Sequence, residues 1–529
     1  MKPKFWTLIA IAAVASTLLA ADAPDGTRWW SYVEFLASDK LEGRNTGSEG
    51  HRVAAEYVAK HFEGDGLKPA GEHGYFQQVK FDTLQLDENQ SSVSLVSNSK
   101  DQPLKFGEEV IVGTRVDPVP SVEAGLVFVG YGLRVPEIGY DDFAGLDTKG
   151  KIAVYMNGAP SSLPSALAAH YQSGAQRWEA LKHAGMIGAV SIPNPRHMDV
   201  PWPRIATSRF QMTMRLAAPG MDETAGEEIA ATWNPAHADE LFAGTGHSMD
   251  EIVAIAETGK QLPRFALPMK LKAKNTVKRG EVESQNIAAI FPGSDPKLKN
   301  EYVVMSAHID HLGIGVPING DAIYNGAMDN ASGVASLLEV ADHLKEARVK
   351  TKRSILLVAV TGEEKGLLGS RYFATNPTVP AASMVADINT DMFLPLYPFK
   401  ILTVYGLDES TLGDDARAVG QQMDVRVQPD PEPARNVFIR SDQYSFVRRG
   451  VPSVMVDIGN EKGSKEAEIE KKWLTERYHA PSDDVNQPVD KQSAATFNLL
   501  VERLIERVAD ADTKPAWKPD SFFRRYANQ

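Results

Sequence analysis

The chain has 529 residues, of which 43% are hydrophobic and 24% charged, and its formal net charge is −13. This composition is typical of a globular protein with a sizeable core, and the acidic balance argues against a general affinity for nucleic acid or anionic membranes. The absence of cysteine excludes disulfides, a cysteine nucleophile, thiolate metal ligands and lipid attachment at a cysteine.

The N-terminal segment has the pattern of an export signal. Two lysines precede an apolar run centred on residues 8–15, and residues 21–23 (Ala-Asp-Ala) fit a small-x-small cleavage site. The alternative is an uncleaved membrane anchor, but the run is short for a span and is interrupted by Ser16 and Thr17. We therefore predict a signal peptide over residues 1–23, export to the periplasm or the exterior, and no membrane span after cleavage.

Two helices are predicted in residues 24–117. The first carries Trp30, Val33 and Leu36 at helical spacing, and the second has its apolar residues at the same spacing between residues 54 and 62. A polar, turn-rich loop joins them. We predict that this stretch is the first part of a domain that continues further along the chain.

The composition changes at residue 118. From there to residue 270 the chain has short β-like runs, such as residues 126–129 and 151–155, separated by glycine and proline. A helix is predicted at residues 177–184. The pattern predicts a separate small domain inserted between two halves of another, and no catalytic cluster is evident in it.

Residues 271–529 alternate strands with helices. Strands are predicted at 302–307, 354–360, 384–388 and 452–456, and the last helix at 491–508. The near-continuous apolar run at 355–360 indicates a strand buried on both faces. The alternation predicts an α/β fold with a mostly parallel mixed sheet flanked by helices, and ligands of such sheets bind outside the carboxyl ends of the strands.

Acidic residues and a histidine follow three of these strands. His308 and Asp310 follow the first, Glu363 and Glu364 follow the second, and Asp391 follows the third. Each taken alone has a plainer explanation, as a helix cap or as a buried hydrogen-bonded pair. Because a parallel sheet brings its strand ends together, we expect these side chains to lie close to one another.

Asp329 stands at the start of the clearest amphipathic helix, whose apolar residues recur at helical spacing from 334 to 344. A carboxylate at that position is commonly a helix cap. Two divalent metal ions about 3.5–4 Å apart, however, need an anionic bridge, which a carboxylate can supply and a neutral imidazole cannot. Histidine and carboxylate without thiolate suit catalytic zinc, so a metal site is the competing prediction.

The neighbours of these groups suggest supporting roles. His308 and Asp310 lie on one face if the strand continues through them, so Asp310 is predicted to support the site from behind. Glu363 and Glu364 must leave the strand end in different directions. One can bind metal while the other accepts a proton from the attacking water, and the spacing leaves open which does which.

Five motifs then occur in order along the third stretch. They are Ser-Ala-His-Ile-Asp-His-Leu-Gly at 306–313, Gly-Ala-Met-Asp-Asn-Ala-Ser-Gly at 326–333, Thr-Gly-Glu-Glu at 361–364, Asn-Thr-Asp-Met at 389–392 and Tyr-His-Ala-Pro-Ser-Asp at 478–483. The set resembles the co-catalytic di-zinc aminopeptidase family, which also contains glutamate carboxypeptidases. The resemblance implies a three-layer zinc-exopeptidase-like core over residues 271–529, completed by residues 24–117.

The resemblance also implies two zinc ions per chain. Asp329 would bridge them, His308 and Asp391 would complete one, and Glu364 and His479 would complete the other. The resemblance implies roles for three further residues. Glu363 would be the general base, Tyr478 would stabilise the oxyanion and Asp310 would be the supporting acid.

Further features follow from the resemblance. The Asp329–Asn330 peptide is expected to be cis, and His311 is expected to be a neighbour of the site rather than a ligand. Gln443 stands where the family commonly has histidine, so no role is borrowed for it. Residues 149–154 and 180–189 make the insert at 118–270 resemble a protease-associated domain, which flanks or caps a cleft without supplying catalytic residues.

The predicted function is hydrolysis of N-terminal residues from peptide substrates by an exported zinc aminopeptidase. The alternative is a carboxypeptidase for acidic C-terminal residues, which needs a cationic pocket; its candidates are Arg417, Arg426, Arg435 and Arg440. A third possibility is a non-catalytic, receptor-like ectodomain of the same fold. The acids of the site suit a free amine, which favours the aminopeptidase. The sequence does not reveal the oligomeric state.

Overall fold

The structure is a computed structural model that describes residues 25–97, 100–198 and 200–527. The signal peptide expected at residues 1–23 lies outside these residues. Among the helices described, none combines the length and the apolar character that crossing a membrane requires.

The chain forms 22 strands, numbered here in chain order. They are β1 Lys68–Pro69, β2 Phe76–Leu86, β3 Ser92–Ser97, β4 Lys100–Pro103, β5 Val110–Gly113, β6 Ser121–Phe128, β7 Arg134–Val135, β8 Tyr140–Asp141, β9 Ile152–Met156, β10 Gly188–Ile192, β11 Thr213–Leu216, β12 Ile229–Trp233, β13 Phe265–Lys274, β14 Val277–Phe291, β15 Tyr302–His308, β16 Gly313–Ile318, β17 Asp321–Tyr324, β18 Ser354–Val360, β19 Met384–Asn389, β20 Ile401–Tyr405, β21 Arg426–Gln428 and β22 Ser453–Ile458. These bounds and that count refer to the described residues.

The α-helices of the described residues are numbered in the same way. They are α1 Thr27–Leu36, α2 Glu49–Gly64, α3 Ser165–Gln172, α4 Gly174–His183, α5 Trp202–Thr207, α6 Ala238–Phe242, α7 Met249–Glu257, α8 Ser332–Glu346, α9 Leu368–Thr375, α10 Leu412–Gln422, α11 Gln443–Val447, α12 Lys465–Glu476 and α13 Lys491–Asp510. Short 3-10 turns join several of them.

The larger sheet has the order β11-β2-β14-β18-β15-β19-β22-β20-β21, with β1 paired to β14. Its centre, β18-β15-β19-β22, is parallel, and the strands on either side pair mostly antiparallel. The four central strands are the four that the sequence predicts. The expected mixed α/β fold with a mostly parallel centre is therefore confirmed.

Helices cover both faces of this sheet. Alternate residues of β15 and β18, such as Met305 and Leu357, pack in the core with α1, α2, α8 and α13. The intervening residues, such as Val304 and Leu356, pack on the other face with Phe373 of α9 and Phe446 of α11. This alternation follows from the two-residue period of a strand and produces three layers.

The second sheet has the order β4-β3-β13-β6-β9-β10-β12-β5, with β6, β9, β10 and β12 parallel. Its two faces pack against separate apolar clusters, one with residues of α6 and α7 and the other with residues of α4. Strands at 92–113 belong to this sheet, and β11 pairs with β2 of the larger sheet. The domain limits at residues 118 and 270 stay predictions.

Candidate metal centre

Side chains from five parts of the larger domain converge at the carboxyl ends of its central strands. His308 is the last residue of β15, Glu363 and Glu364 follow β18, and Asp391 follows β19. Asp329 lies in the turn that precedes α8, and His479 lies between α12 and α13. The structure thus brings together the residues that the sequence predicts from strand ends and the one, His479, that only the family motif supplied.

One half of the cluster is built around His308. Its Nε2 lies 3.1 Å from Asp391 Oδ1 and 3.3 Å from Asp329 Oδ1. Its other ring nitrogen, Nδ1, lies 3.0 Å from the backbone oxygen of Asp310. The imidazole is therefore held from behind with Nε2 directed at two carboxylates, as a metal ligand requires.

The other half is built around Glu364. His479 Nε2 lies 3.4 Å from Glu364 Oε2 and 3.3 Å from Asp329 Oδ2. His311 Nδ1 lies 2.7 Å from Glu364 Oε1 and 3.8 Å from Asp329 Oδ2. Asp329 thus turns one oxygen toward each half, which is the placement that a bridging ligand needs.

His311 is closer to the site than the sequence predicts. It is fully buried, whereas we expected a neighbour without a role in ligation. Its backbone N–H donates to Arg44 O at 3.2 Å, and residue 311 forms an isolated bridge with Asn45. The sequence signal that marks it is its place directly after Asp310, but the contacts that turn it inward come from a loop more than 250 residues earlier.

The turn that carries Asp329 is fixed by two other side chains. Asp483 accepts the backbone N–H of Met328 at 2.9 Å and that of Asp329 at 3.1 Å. Asn330 Oδ1 accepts the N–H of Gly333 at 2.9 Å, and its Nδ2 donates to the backbone oxygen of Thr390 at 3.0 Å. The Asp329–Asn330 peptide is cis, as the resemblance implied.

These contacts bear on the interpretation of Asp329 as a helix cap. Among the described residues, its side chain makes no capping hydrogen bond to α8. Asn330 caps α8 through Gly333 instead. The Asp329 carboxylate is therefore directed away from the helix and toward the histidines.

Asp310 contacts both His308 and the backbone of Glu363. Its Oδ1 accepts the backbone N–H of Glu363 at 3.1 Å, and its Oδ2 accepts the hydroxyl of Thr46 at 2.8 Å. Its backbone oxygen faces His308 Nδ1. This fully buried acid therefore positions His308 and the start of the Glu363–Glu364 turn.

The electrostatics of the cluster separate the two glutamates. Burial raises the pKa of Glu363 well above its usual range; His308 opposes this, and Asp391 and Glu364 add to it. Burial also acts on Glu364, but His479 and His311 outweigh it and lower its pKa. Glu363 is thus the carboxyl that holds a proton more readily.

Asp329 and His308 behave as an ion pair. Burial alone would raise the pKa of Asp329, but His311, His308 and His479 lower it well below its usual range. Burial alone would lower the pKa of His308, but Asp391 and Glu363 raise it well above its usual range. The cluster therefore attracts positive charge at the point where its donor atoms meet.

The donor set fits zinc. The ligand atoms of His308, Asp329 and Asp391 lie within 4.8 Å of one another, and so do those of His311, Asp329 and Glu364. Both ring nitrogens of His311 and Oε1 of Glu364 are buried without a hydrogen bond of good geometry, although His311 Nδ1 lies 2.7 Å from that oxygen. Imidazole and carboxylate donors around a shared aspartate are the chemistry expected of paired zinc ions.

The remaining predicted residues line the cleft. Tyr478 lies beside His479, with ring centroids 3.9 Å apart and ring planes inclined by 34°. Burial raises the pKa of its hydroxyl well above its usual range. Arg435 and Arg440 line the cleft with Asp391 and Tyr478. The other two arginine candidates do not line it; Arg417 pairs with Asp408 and Asp414, and Arg426 pairs with Glu461.

Gln443 lies in a layer beneath the site. Its Oε1 accepts from Asn389 Nδ2 at 2.8 Å, and its Nε2 donates to the backbone oxygen of Phe438 at 2.7 Å. Asn389 also donates to Ser441 Oγ at 2.8 Å. Gln443 therefore ties the end of β19 to α11.

Known proteins resemble this chain over its whole fold and more closely over its C-terminal half. Residues 286–505 match the model of peptidase family M28. A probable leucine aminopeptidase 2 from Aspergillus oryzae is 25% identical over 417 residues, covering 75% of this chain and 69% of that protein. Aminopeptidase Y from Saccharomyces cerevisiae is 26% identical over 238 residues, which are 44% of this chain and 40% of that protein.

Solved structures share the fold. The aminopeptidase from Aneurinibacillus sp. strain AM-1 superimposes with a TM-score of 0.56 and 18% identity, covering 94% of this chain and 97% of that one. A zinc aminopeptidase from Bacillus subtilis gives a TM-score of 0.50 at 18% identity, with 92% and 96% covered. The likeness extends over both sheets.

Proposed function

We propose a specific activity from the premise that this chain belongs to peptidase family M28 and is a zinc metallo-exopeptidase of that family. The proposal is an exported aminopeptidase that holds two zinc ions per chain and removes N-terminal residues from peptides. The observation that carries it is the position of Asp329, with one oxygen 3.3 Å from His308 and the other 3.3 Å from His479.

Five side chains would hold the metal pair. His308 and Asp391 would bind one ion, Glu364 and His479 the other, and Asp329 both. His311 Nδ1, at 2.7 Å from Glu364, is within reach of the second ion as well. When bound, the zinc pair would lower the pKa of a water molecule and polarise the scissile carbonyl.

The residues of the chain would move the protons. The Glu363 carboxylate would accept a proton from the attacking water and deliver it to the leaving amine nitrogen. Burial raises its pKa above the usual range of a glutamate, which makes it a stronger base than an exposed carboxylate. The Tyr478 hydroxyl would donate to the oxyanion of the tetrahedral intermediate. Asp310 would hold His308 and Glu363 in position relative to each other.

The shape of the cleft supports cleavage near the N-terminus. Two cavities meet at the site, and both are lined by Glu363, Tyr478 and His479. The smaller one, of about 80 Å³, is also lined by Asp391 and by three apolar side chains, those of Leu394, Met455 and Leu474. The larger one, of about 520 Å³, forms the open side of the cleft and is also lined by Glu364. One residue would occupy the smaller cavity, its free amine near Asp391 and Glu363, and the rest of the peptide would extend into the larger one.

A substrate panel tests the proposal. The purified chain should hydrolyse leucyl-p-nitroanilide and peptides with a free N-terminus, should lose this activity to a zinc chelator, and should regain it with zinc. N-acetylated versions of the same peptides should be poor substrates. Cleavage confined to N-acetylated peptides with acidic C-terminal residues would contradict the aminopeptidase proposal.

One observation favours the carboxypeptidase as second candidate. Arg435 and Arg440 reach the cleft beside Asp391 and Tyr478, and a cationic wall is what an acidic C-terminal residue needs. The same panel separates the two. A receptor-like ectodomain without activity would fail every arm of the panel.

The export proposal rests on the N-terminal pattern of residues 1–23. Edman sequencing of the mature protein after secretion would test the cleavage site at residue 23.

We further propose that the second sheet and its helices are a protease-associated domain, because its strands lie between two parts of the larger sheet in the chain.

A further inference from the structure

A second large cavity lies where the second sheet meets the larger one. It has a volume of about 440 Å³. Its walls come from α4, from the ends of β5, β10 and β12, from α5 and from the loop that follows β18. Glu364 and Lys365 of that loop line both this cavity and the open side of the metal cleft.

Cations dominate the charged groups of this cavity. Four line it: Arg115, Arg177, Arg209 and Lys365. The carboxyls are Glu364, which belongs to the candidate metal centre, and Glu227. Burial, and then Asp222, raises the pKa of Glu227 to about 8, so at neutral pH it is mostly uncharged and offsets little of the positive charge.

Three of these cations have no carboxylate within ion-pair distance among the residues that the structure describes. The fourth cation, Arg209, is ion-paired with Glu88 at 3.1 Å. Arg177, in contrast, is only 7% exposed, and its Nε and Nη2 are buried without a hydrogen bond. Lys365 is 5% exposed, and Arg115 donates only to the backbone oxygen of Glu364 at 3.3 Å.

Arg177 is held in place without being neutralised. Its Nη1 donates to the backbone oxygen of Gln172 at 3.2 Å, and its guanidinium lies over the ring of Tyr155 at 4.2 Å. A buried guanidinium normally has an anionic partner, because the desolvation of a charge is costly when it is unpaired. Its positive charge lies in the wall of the cavity, where it would attract a carboxylate.

We propose that this cavity binds the C-terminal carboxylate of a short peptide substrate. The inference rests on the proposed aminopeptidase function and names its substrate class: peptides short enough for the amine to reach the metal centre while the carboxylate reaches Arg177. The cavity lies on the Glu364 side of the centre, where the leaving part of the peptide goes. The second sheet would thereby help to select substrates by length.

A matched pair of substrates tests the proposal. Neutral peptides with N-terminal leucine, from tri- to hexapeptides, are prepared as free acids and as C-terminal amides. The wild-type protein should prefer the acid by about tenfold to a hundredfold in kcat/KM at the best length, mainly through KM, as expected for a charge-assisted hydrogen bond. Leucyl-p-nitroanilide, which has no carboxylate, reports the proposed function separately.

Three variants locate the effect. Arg177→Gln should reduce the acid preference at least fivefold and change hydrolysis of the amide by less than twofold. Arg177→Lys should keep part of the preference, since the charge remains. Arg209→Gln is the matched control, because Arg209 lines the same cavity but is already paired with Glu88, and it should change the preference by less than twofold.

The outcomes are distinct. Equal hydrolysis of acids and amides at every length, or an acid preference that survives Arg177→Gln, would overturn the proposal. Acetate that inhibits acid and amide peptides equally would overturn the assignment to the substrate's own carboxylate, whereas competition confined to the acids supports it. Failure to hydrolyse the anilide would instead reject the aminopeptidase function itself.

Discussion

Two clusters in this chain place one histidine between two aspartates at almost the same distances. In the strand-end cluster, His308 Nε2 lies 3.1 Å from Asp391 and 3.3 Å from Asp329. In the helix cluster, His61 Nε2 lies 3.1 Å from Asp342 and 3.2 Å from Asp65. The donor atoms alone would allow a metal ion in either.

The surroundings of the two clusters differ. In the helix cluster, which lies between α1, α2 and α8, groups of the chain itself lie against the carboxylates of Asp342 and Asp65. Tyr32 donates to Asp342 Oδ2 at 2.5 Å, Arg28 Nε lies 3.3 Å from the same oxygen, and Lys345 lies 3.2 Å from Asp65. Burial alone would raise the pKa of Asp342, but hydrogen bonds from His61 and Tyr32 and the charge of Arg28 lower it. This cluster joins three helices through contacts that the chain supplies.

The strand-end cluster has more acid than its histidines balance. Four carboxylates share three imidazoles, and the ring nitrogens of His311 and one oxygen of Glu364 are buried without a hydrogen bond. It also opens into a cleft on two sides. The strand-end cluster thus differs from the helix cluster in its excess of carboxylates and in its opening into a cleft, and the following changes test that distinction.

The largest effect is expected from Asp329→Ala. The change removes the carboxylate shared by both halves of the strand-end cluster, so paired zinc binding and activity should be lost together. We expect hydrolysis of leucyl-p-nitroanilide to fall by at least roughly a thousandfold. If Asp329→Ala kept more than a tenth of the activity, Asp329 would not be the bridging ligand.

Glu363→Gln should come next. The amide keeps the size of the side chain but cannot accept the proton of the attacking water, so kcat should fall by roughly 10²–10⁴-fold while KM changes little. The Glu364→Gln variant is the control, since loss of a ligand should lower zinc affinity as well as kcat. Near-normal turnover of Glu363→Gln would show that another group is the base.

Asp342→Asn tests the helix cluster. The amide cannot accept from Tyr32, His61 and Arg28 as the carboxylate does, so the free energy of unfolding should fall by roughly 2–4 kcal/mol. The partly exposed Arg28 contributes little of this. Denaturant unfolding measures the change, and anilide hydrolysis at 25 °C should stay within about twofold. A large loss of activity in the folded Asp342→Asn variant would contradict the assignment of the helix cluster to stability alone.

The smallest effect concerns Glu227, a buried acid with neither a metal nor a paired cation. Its pKa is raised from 4.5 to about 8, so the folded chain holds its proton more tightly than the unfolded chain. The stabilisation is complete below pH 4.5 and is lost as the pH rises toward 8. Between pH 6 and 8 the free energy of unfolding of the wild type should fall by roughly 1–2 kcal/mol because of this group. In Glu227→Gln, which cannot lose a proton, this part of the fall should be absent. If the free energy of unfolding of Glu227→Gln depended on pH in the same way as that of the wild type, this prediction would be wrong.

Much of the site was predictable because near-continuous apolar runs locate the central strands and so their ends. The predicted strand at 354–360 matches β18, and the other central strands agree within two residues. His308, Glu363, Glu364 and Asp391 follow from those ends. His479 does not, because it lies in a loop after α12, and only the family motif supplies it.

What the sequence could not supply depends on contacts between distant residues. His311 is turned inward by Arg44 and Asn45, and the Asp329 turn is held by Asp483. The edge of the second sheet at residues 92–113 is fixed by pairing with β12 and β13, which lie more than 100 residues later. No local pattern records such pairing.

Zinc bound per chain is the most direct measure of the central claim. It would be determined by mass spectrometry on wild-type protein, Asp329→Ala and Asp342→Asn after dialysis. We expect close to two zinc ions per chain in wild type and in Asp342→Asn, and well below one in Asp329→Ala. Two ions retained by Asp329→Ala, or zinc lost from Asp342→Asn while it remains folded, would contradict the assignment of the metal centre to the strand ends.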